Sequence, residues 1–355
     1  MPIIITDEDA VRLLSIDEAI EAMRVAFGDL AEGRAANPPR LRYSIASPDP
    51  HRRYFANIHA GAVLSFGTAC VRAGSHFTLV GQHDAERKVF DNPEPVNWSV
   101  VILYDLRTGE PLAFMHETHL SGFRVGATTG LAVAQCARED VEVLGLFGTG
   151  NQAFPNARAI CAARPIRRVQ VFSPSAAHRA AFLARMAGEK VEVVAVDDPR
   201  EVVRGADIVC CATNSKVPVL RGEWLEPGQM VISIANSDVI GVRREVDAET
   251  FTRASDIVIN DWEAVEANRQ VELLDEIERG TVRRERVHEL GDVVAGRVAV
   301  RQERDRILYY KNNTGLAIQF AACGAILYRK LMQEGTTRTI PREWFASQKY
   351  SISAG

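Results

Sequence analysis

Residues 141–160, VEVLGLFGTGNQAFPNARAI, place glycines at 148 and 150 directly after an apolar run. That spacing suits a pyrophosphate. Gly148 makes the tight turn, Gly150 lets a phosphate approach the backbone, and Ala153 keeps the following helix close to the strand. Pro155 fits only the first helical turn, where the backbone N–H groups lack intrahelical partners in any case. Those unpaired N–H groups attract anions. A G-x-G-x-x-[GA] pattern alone is weak evidence. Here it stands between a predicted strand and a predicted helix, the context that gives it meaning.

The identity of the dinucleotide turns on the end of the next strand. A carboxylate there would bind the ribose 2′-OH and favour NAD. The sequence VFSPSAAHR offers Ser173, Ser175 and Arg179 instead. The reading is NADP or NAD, with the hydroxyls and the arginine favouring the 2′-phosphate of NADP.

Four further stretches carry polar groups where chemistry could happen. Arg124 is expected to open a small-residue helix and to clamp a carboxylate or phosphate. Thr213 and Asn214 follow the apolar run at 208–210 and would face the ligand crevice at a strand's carboxyl end. Asn236 and Asp238 follow a second such run, and Asp238 could shuttle protons beside a nicotinamide. The last stretch, 310–315, reads YKNNTG. Plainer readings exist for each: a surface arginine, a plain loop, a turn aspartate, and Asn or Thr helix caps.

These groups need elements to position them. An amphipathic helix is expected over 15–32. Strands follow at 53–59 and 68–77, then a polar loop at 80–95 that could face substrate. A hairpin is expected from 99–104 and 111–115. From 121 onward the pattern alternates. Helices are expected at 126–137, 152–163, 176–187 and 199–204, and strands at 141–147, 168–172, 191–196, 208–212, 230–234 and 257–259. Alternation of this kind means a doubly wound parallel sheet. A helical stretch at 276–286 and an amphipathic helix at 315–332 close the chain.

Composition narrows the class. The chain has 355 residues, room for about two domains. A net charge of −4 with no basic stripe argues against nucleic acid. No apolar run approaches the roughly 20 residues of a membrane helix. The N-terminus shows no signal-peptide pattern, so a cytoplasmic protein is expected. The six cysteines form no C-x-x-C pair and are expected to be buried thiols, and no histidine spacing suggests a metal.

In order, these stretches resemble the ornithine cyclodeaminase/mu-crystallin family. The resemblance is carried by Pro38-Pro39-Arg40, by Tyr104-Asp105 with Thr108-Gly109, and by the Arg124 helix. It continues through Gly148-Thr149-Gly150-Asn151-Gln152-Ala153, Thr213-Asn214-Ser215 with Pro218, Asp238 with Gly241 and Glu245, and Leu290-Gly291 with Gly296-Arg297. It spans nearly the whole chain.

The resemblance implies an α/β fold in two parts. A Rossmann-type domain, 123–313, lies between the pieces of an α+β dimerisation and substrate domain, 1–122 and 314–355. It implies a homodimer that transfers hydride between a nicotinamide and the Cα of a small amino or imino acid. Arg40 and Arg124 would bind the substrate carboxylate, and Asp238 would give and take the proton. Asn151, Gln152, Thr213, Asn236 and Asn313 would line the cofactor. Two alternatives remain open: an ammonia-releasing cyclodeaminase that recycles its NAD, and a binding protein without catalysis.

The chain also departs from the family pattern. Ala69 stands where a lysine is usual. Arg72 could substitute, although three residues along a strand puts it on the opposite face. The 311–315 segment is one residue longer than usual, and Gln319 stands where an aspartate is frequent.

Overall fold

A computed structural model describes residues 1–79, 98–237, 242–312, 315–335 and 338–347. The expected loop at 80–95, Asp238 and Asn313 lie outside them.

Two sheets organise the chain. The first contains β1 (Ile3–Ile5), β2 (Ala35–Ala36), β3 (Leu41–Ala46), β4 (Arg52–Val63), β5 (Thr68–Leu79), β6 (Val100–Asp105) and β7 (Pro111–His116). The second contains β8 (Val143–Phe147), β9 (Arg168–Phe172), β10 (Glu192–Ala195), β11 (Ile208–Cys211), β12 (Met230–Ser233), β13 (Ala254–Ile259), β14 (Val287–Glu289) and β15 (Ile307–Lys311). The last strand, β16 (Arg338–Thr339), returns to the first sheet and pairs with β1.

The second sheet runs in the order β10-β9-β8-β11-β12-β15-β13-β14. Each of its pairings is parallel. From β8 the chain winds outward through β9 and β10, then crosses back to β11 and β12. This is the Rossmann-type order, and the winding reverses between β8 and β11. A ligand crevice opens outside the carboxyl ends of the strands at such a switch point. The alternating pattern made six of the sheet's eight strands legible. The central β15 is a finding beyond it, inserted between β12 and β13 from near the end of the chain.

The first sheet is antiparallel except where β1 runs parallel to β7. Its inner face is covered by the Ala317–Glu334 helix. Thr68 Oγ1 donates to the Ala321 carbonyl at 3.1 Å, and the Cys70 thiol to that of Ala317 at 3.2 Å. The amphipathic helix is Ile16–Ala31; Ser15 caps it and Glu18 completes a capping box. The outer face is different. Leu41, Tyr43 and Ile45, alternate residues of β3, are all exposed.

A long helix, Thr118–Cys136, joins the two sheets. It begins eight residues before the expected start, so Arg124 lies in its second turn rather than at its opening. Pairs of small residues let it pack closely: a Cβ on Gly126 would lie 2.5 Å from the Pro155 carbonyl oxygen. Cys210 and Cys211 enter hydrophobic cores on opposite sides of the second sheet. All six cysteines are free, and five are buried. No helix among the described residues is long and apolar enough to cross a membrane.

Candidate active site

The crevice begins at Gly148, whose φ is +101°. Its N–H donates to the Phe172 carbonyl at 2.8 Å, tying the turn to β9. A Cβ there would lie 2.4 Å from the Ala212 carbonyl oxygen. Both the backbone angle and the neighbouring strand therefore demand glycine. Gly150 is the reverse case: its position is open, with no atom within 4 Å of where a Cβ would be. Asn151 is exposed, Thr149 and Gln152 are half-buried, and Ala153 is the first residue of the Ala153–Ala163 helix. Pro155 falls in its first turn, as expected. The buried Gln152 Oε1 has no hydrogen-bond partner. An open backbone position at the start of a helix, on the switch point, fits a pyrophosphate.

Beyond β9, Ser173 is buried and Ser175 caps the Ala176–Met186 helix by accepting from the His178 N–H at 3.3 Å. Arg179 donates to the Ser173 carbonyl at 2.6 Å and to Asp197 at 2.5 Å. Asp197 is 94% exposed in its side chain, so solvent screens this pair.

The carboxyl ends of β11 and β12 are held by one residue that the sequence reading left without a role. Glu245 is fully buried. Its Oε1 accepts from the Thr213 N–H (2.6 Å) and Oγ1 (2.9 Å). Its Oε2 accepts from Ser233 Oγ, Ile234 N and Ala235 N at 2.8–2.9 Å. Burial pushes the Glu245 carboxyl up, and the N–H bonds of Thr213 and Ala235 oppose that shift. Behind it, Glu272 accepts from the Glu245 N–H at 3.0 Å and forms a buried ion pair with Lys311 of β15. Thr213 is thereby fixed in the crevice, whereas Asn214 is exposed.

Facing this edge is a cluster of arginines. Arg40 donates to Asn268 Oδ1 at 2.9 Å and to Asn236 Oδ1. It joins the first sheet to the dinucleotide edge. Arg124 donates to Gln319 Oε1, and its guanidinium lies 4.8 Å over the Phe320 ring. Gln319 also donates to Thr128 Oγ1 at 2.7 Å. The amide thus orients Arg124 without neutralising it. Burial, then repulsion from Arg72 and Arg243, pulls Arg40 down to about 10. Burial likewise pulls Arg124 down to about 10.

Arg72 sits directly across from His59 in the β4–β5 register. It contacts the buried Glu117 at 3.1 Å. The register shows no shift between 69 and 72, so Ala69 points to the outer face and Arg72 to the inner one. Arg72 therefore enters the cluster on its own strand position and does not replace a group at 69. His59 is buried among Arg72, Arg40 and Arg124; desolvation first and these charges second drive its pKa well down, against a bond to the Gly315 backbone. His59, Glu117, Arg42 and Arg243 were missed. Alternation along β3 and β4 could have put Arg42 and His59 on the Arg72 face, but only with the cross-strand register in hand.

Asp238 and Asn313 are outside the described residues. The segment containing Asp238 is bounded by Ser237, which accepts from the Arg243 N–H at 3.0 Å. Asn312 is engaged in packing: its amide donates to the Val125 carbonyl and to Thr129 Oγ1, both at 2.9 Å. The N-cap of the last helix is Leu316, not Asn or Thr. No group of three or more His, Cys, Asp or Glu among the described residues could hold a metal.

Comparison with known proteins adds three similarities and a family. Residues 2–335 match the ornithine cyclodeaminase/mu-crystallin family. An alanine dehydrogenase of Archaeoglobus fulgidus is 28% identical over 94% of this chain and 96% of its own. The structure of Thermococcus litoralis Δ1-pyrroline-2-carboxylate reductase with NADH and L-proline is similar at TM-score 0.83 and 26% identity, covering 95% of this chain and 100% of that one. An archaeal alanine dehydrogenase dimer with bound NAD gives TM-score 0.81 at 26% identity, over 96% and 99% of the two chains.

Proposed function

We propose that this chain, which belongs to the ornithine cyclodeaminase/mu-crystallin family, is an NAD(P)-dependent oxidoreductase acting on the C–N bond of a small amino or imino acid. The observation that carries the reading is the Arg40–Asn236 contact. It brings a carboxylate-binding cluster to the edge where a nicotinamide would lie. The similar proteins named as a reductase and dehydrogenases support the same class.

The residues divide the work as follows. Gly148, Thr149, Gly150, Asn151, Gln152 and Ala153 hold the pyrophosphate; Thr213, Asn214, Asn236 and Asn313 line the rest of the dinucleotide. Ser173, Ser175 and Arg179 favour NADP over NAD, because Arg179 needs only to exchange the exposed Asp197 for a phosphate. Arg40, Arg72 and Arg124 hold the substrate carboxylate and so fix Cα. Asp238 donates the proton that makes the imine electrophilic and recovers it in reverse. Held by these residues, a dinucleotide would supply or accept the hydride at Cα. Holding Cα within reach of the nicotinamide is the larger contribution, since orientation removes most of the entropic barrier.

The two sheets support assigning 1–122 and 314–355 to a substrate and dimerisation unit and 123–313 to the dinucleotide unit. A second copy is the partner we assign to the outer face with Leu41, Tyr43 and Ile45, giving a homodimer. We place the chain in the cytoplasm, where its six thiols stay reduced.

The test is NADPH and NADH oxidation with imines formed from 2-oxo acids and ammonia or methylamine, and with cyclic imino acids. Turnover that disappears in Asp238→Asn supports the reading. Ammonia from ornithine without net cofactor use would replace it with cyclodeamination. Cofactor binding without any turnover would leave a binding protein.

A further inference from the structure

Five buried polar side chains form one continuous chain of hydrogen bonds that ends at the glycine turn. Tyr310 of β15 gives its hydroxyl proton to Asn260 Oδ1 at 2.5 Å. Asn260 Nδ2 donates to Asn312 Oδ1 at 2.9 Å, and Asn312 Nδ2 to Thr129 Oγ1 at 2.9 Å. The Thr129 hydroxyl donates to Asn156 Oδ1 at 2.5 Å, and Asn156 Nδ2 to the Gln152 carbonyl at 2.8 Å. Tyr310, Thr129 and Asn156 are fully buried, and Asn260 and Asn312 nearly so.

The direction of the chain is set by two backbone carbonyls. A carbonyl only accepts, so Asn156 turns Nδ2 to Gln152 and leaves Oδ1 for the Thr129 hydroxyl. Asn312 also donates to the Val125 carbonyl at 2.9 Å, which fixes its amide in the same way. Its Oδ1 then faces Asn260 Nδ2, and Asn260 Oδ1 faces the Tyr310 hydroxyl. Every donor therefore points toward Gln152, and hydrogen bonds in series polarise one another.

The last bond lands on the peptide that shapes the turn. The Gln152 carbonyl also accepts from the Asn156 N–H, within the helix, at 3.3 Å. The side-chain bond at 2.8 Å is shorter, so the Asn156 amide holds that carbonyl more firmly than the helix does. The N–H of the same peptide, on Ala153, donates to the Gly150 carbonyl at 3.1 Å. Through this one peptide the relay reaches Gly150, the open position of the turn. Its other end is anchored in the second sheet, where Tyr310 stands on β15 and the Asn312 N–H donates to the Ser233 carbonyl of β12 at 2.8 Å. Apolar side chains would fill the same space without needing partners. A paired buried network instead holds its members in one geometry.

We infer that Asn156, Thr129 and Asn312 are positioning residues for the pyrophosphate: their relay, based on Tyr310 and Asn260, holds the 150–153 turn in the shape that receives it. This rests on the reading of the glycine turn as a dinucleotide site.

The test measures Kd by calorimetry for ADP-ribose, which carries the pyrophosphate, and for adenosine, which carries no phosphate. Thr129→Val keeps the side-chain shape and removes the hydroxyl that links the two asparagines. Its Kd for ADP-ribose should rise about tenfold, the size of one lost hydrogen bond, while that for adenosine stays within about twofold. Thr129→Ser, which keeps the hydroxyl, should restore most of the affinity. Combined with Gly150→Ala, Thr129→Val should weaken ADP-ribose binding no further than Gly150→Ala alone, although the losses in Tm add. Tyr310→Phe removes one hydroxyl at the far end of the relay and should raise the ADP-ribose Kd about threefold, which carries the test if Thr129→Val does not fold. Wild-type ADP-ribose affinity in these variants with only Tm lowered, equal loss for adenosine, or full additivity with Gly150→Ala in Kd overturns the inference. Wild-type protein that binds no ADP-ribose overturns the dinucleotide reading itself, and the inference with it.

Discussion

Two glycines two residues apart should respond to alanine in opposite ways. At Gly148 the new side chain meets a φ of +101° and an Ala212 oxygen 2.4 Å away. The unfavourable angle costs about 1–2 kcal/mol. Ordinary contact at that oxygen would be about a full ångström longer, and the oxygen cannot easily retreat, because the Ala212 N–H is bonded to the Phe147 carbonyl at 2.8 Å. Overpacking of this kind adds about 1–3 kcal/mol. Gly148→Ala should therefore lose about 4 kcal/mol, a fall in Tm of roughly 8 °C at about 2 °C per kcal/mol for a chain of this size. Gly150 has neither problem, since its space is open and its φ lies outside the left-handed region. Gly150→Ala should keep its Tm within about 2 °C, and removal of a glycine from the unfolded chain can even raise it. Its cofactor Kd should still rise at least tenfold, because the methyl occupies the space a phosphate oxygen needs. Thermal melts and fluorescence titration with NADPH and NADH read the two effects apart. Wild-type cofactor affinity in a stable Gly150→Ala protein would refute the assignment of this loop to the pyrophosphate.

Glu245→Gln leaves an amide among five donors. At least one backbone N–H then loses its acceptor and the others lose charge assistance, a loss of about 3 kcal/mol by chemical denaturation. Weakened cofactor binding is expected with it, because Thr213 and the end of β12 are released together. Lys311→Met leaves Glu272 buried without its counter-charge and should cost about 3–5 kcal/mol, whereas Lys311→Met with Glu272→Leu should recover much of that. His59 has a folded pKa well below the ordinary 6.5. The unfolded chain therefore takes up its proton first as pH falls. Stability should decline below pH 6.5 by up to about 1.4 kcal/mol per pH unit for this group, and His59→Gln should flatten that slope in pH-dependent melts. His76 and His119 shift in the same direction and leave a residual slope.

What was legible in the sequence was local. The strand–glycine–helix unit at 143–163 can be read from a run of neighbours, and the Ile16–Ala31 helix from its apolar face. The start of the Thr118–Cys136 helix was not legible, since the Glu117 side chain makes no capping bond to the helix and no apolar stripe marks the first turns. β15 was not legible because ILYYK is a short run whose place, between β12 and β13, depends on strands far away in the chain. The site shows the same division. Arg124 and Thr213 stand at recognisable local positions, whereas His59 gains its meaning from Arg72 across the sheet, and Glu245 from two strand ends it does not belong to.

The central claim is that this site moves a hydride between a nicotinamide and the Cα of an amino or imino acid. The direct measurement uses cofactor deuterated at C4 of the reduced nicotinamide, with the panel of imines, and mass and NMR analysis of the product. The account predicts deuterium at Cα of an amino acid, one atom per cofactor oxidised, and none formed by Asp238→Asn. An amino acid product without deuterium at Cα when either C4 position is labelled, or ammonia release with no net oxidation, would contradict it.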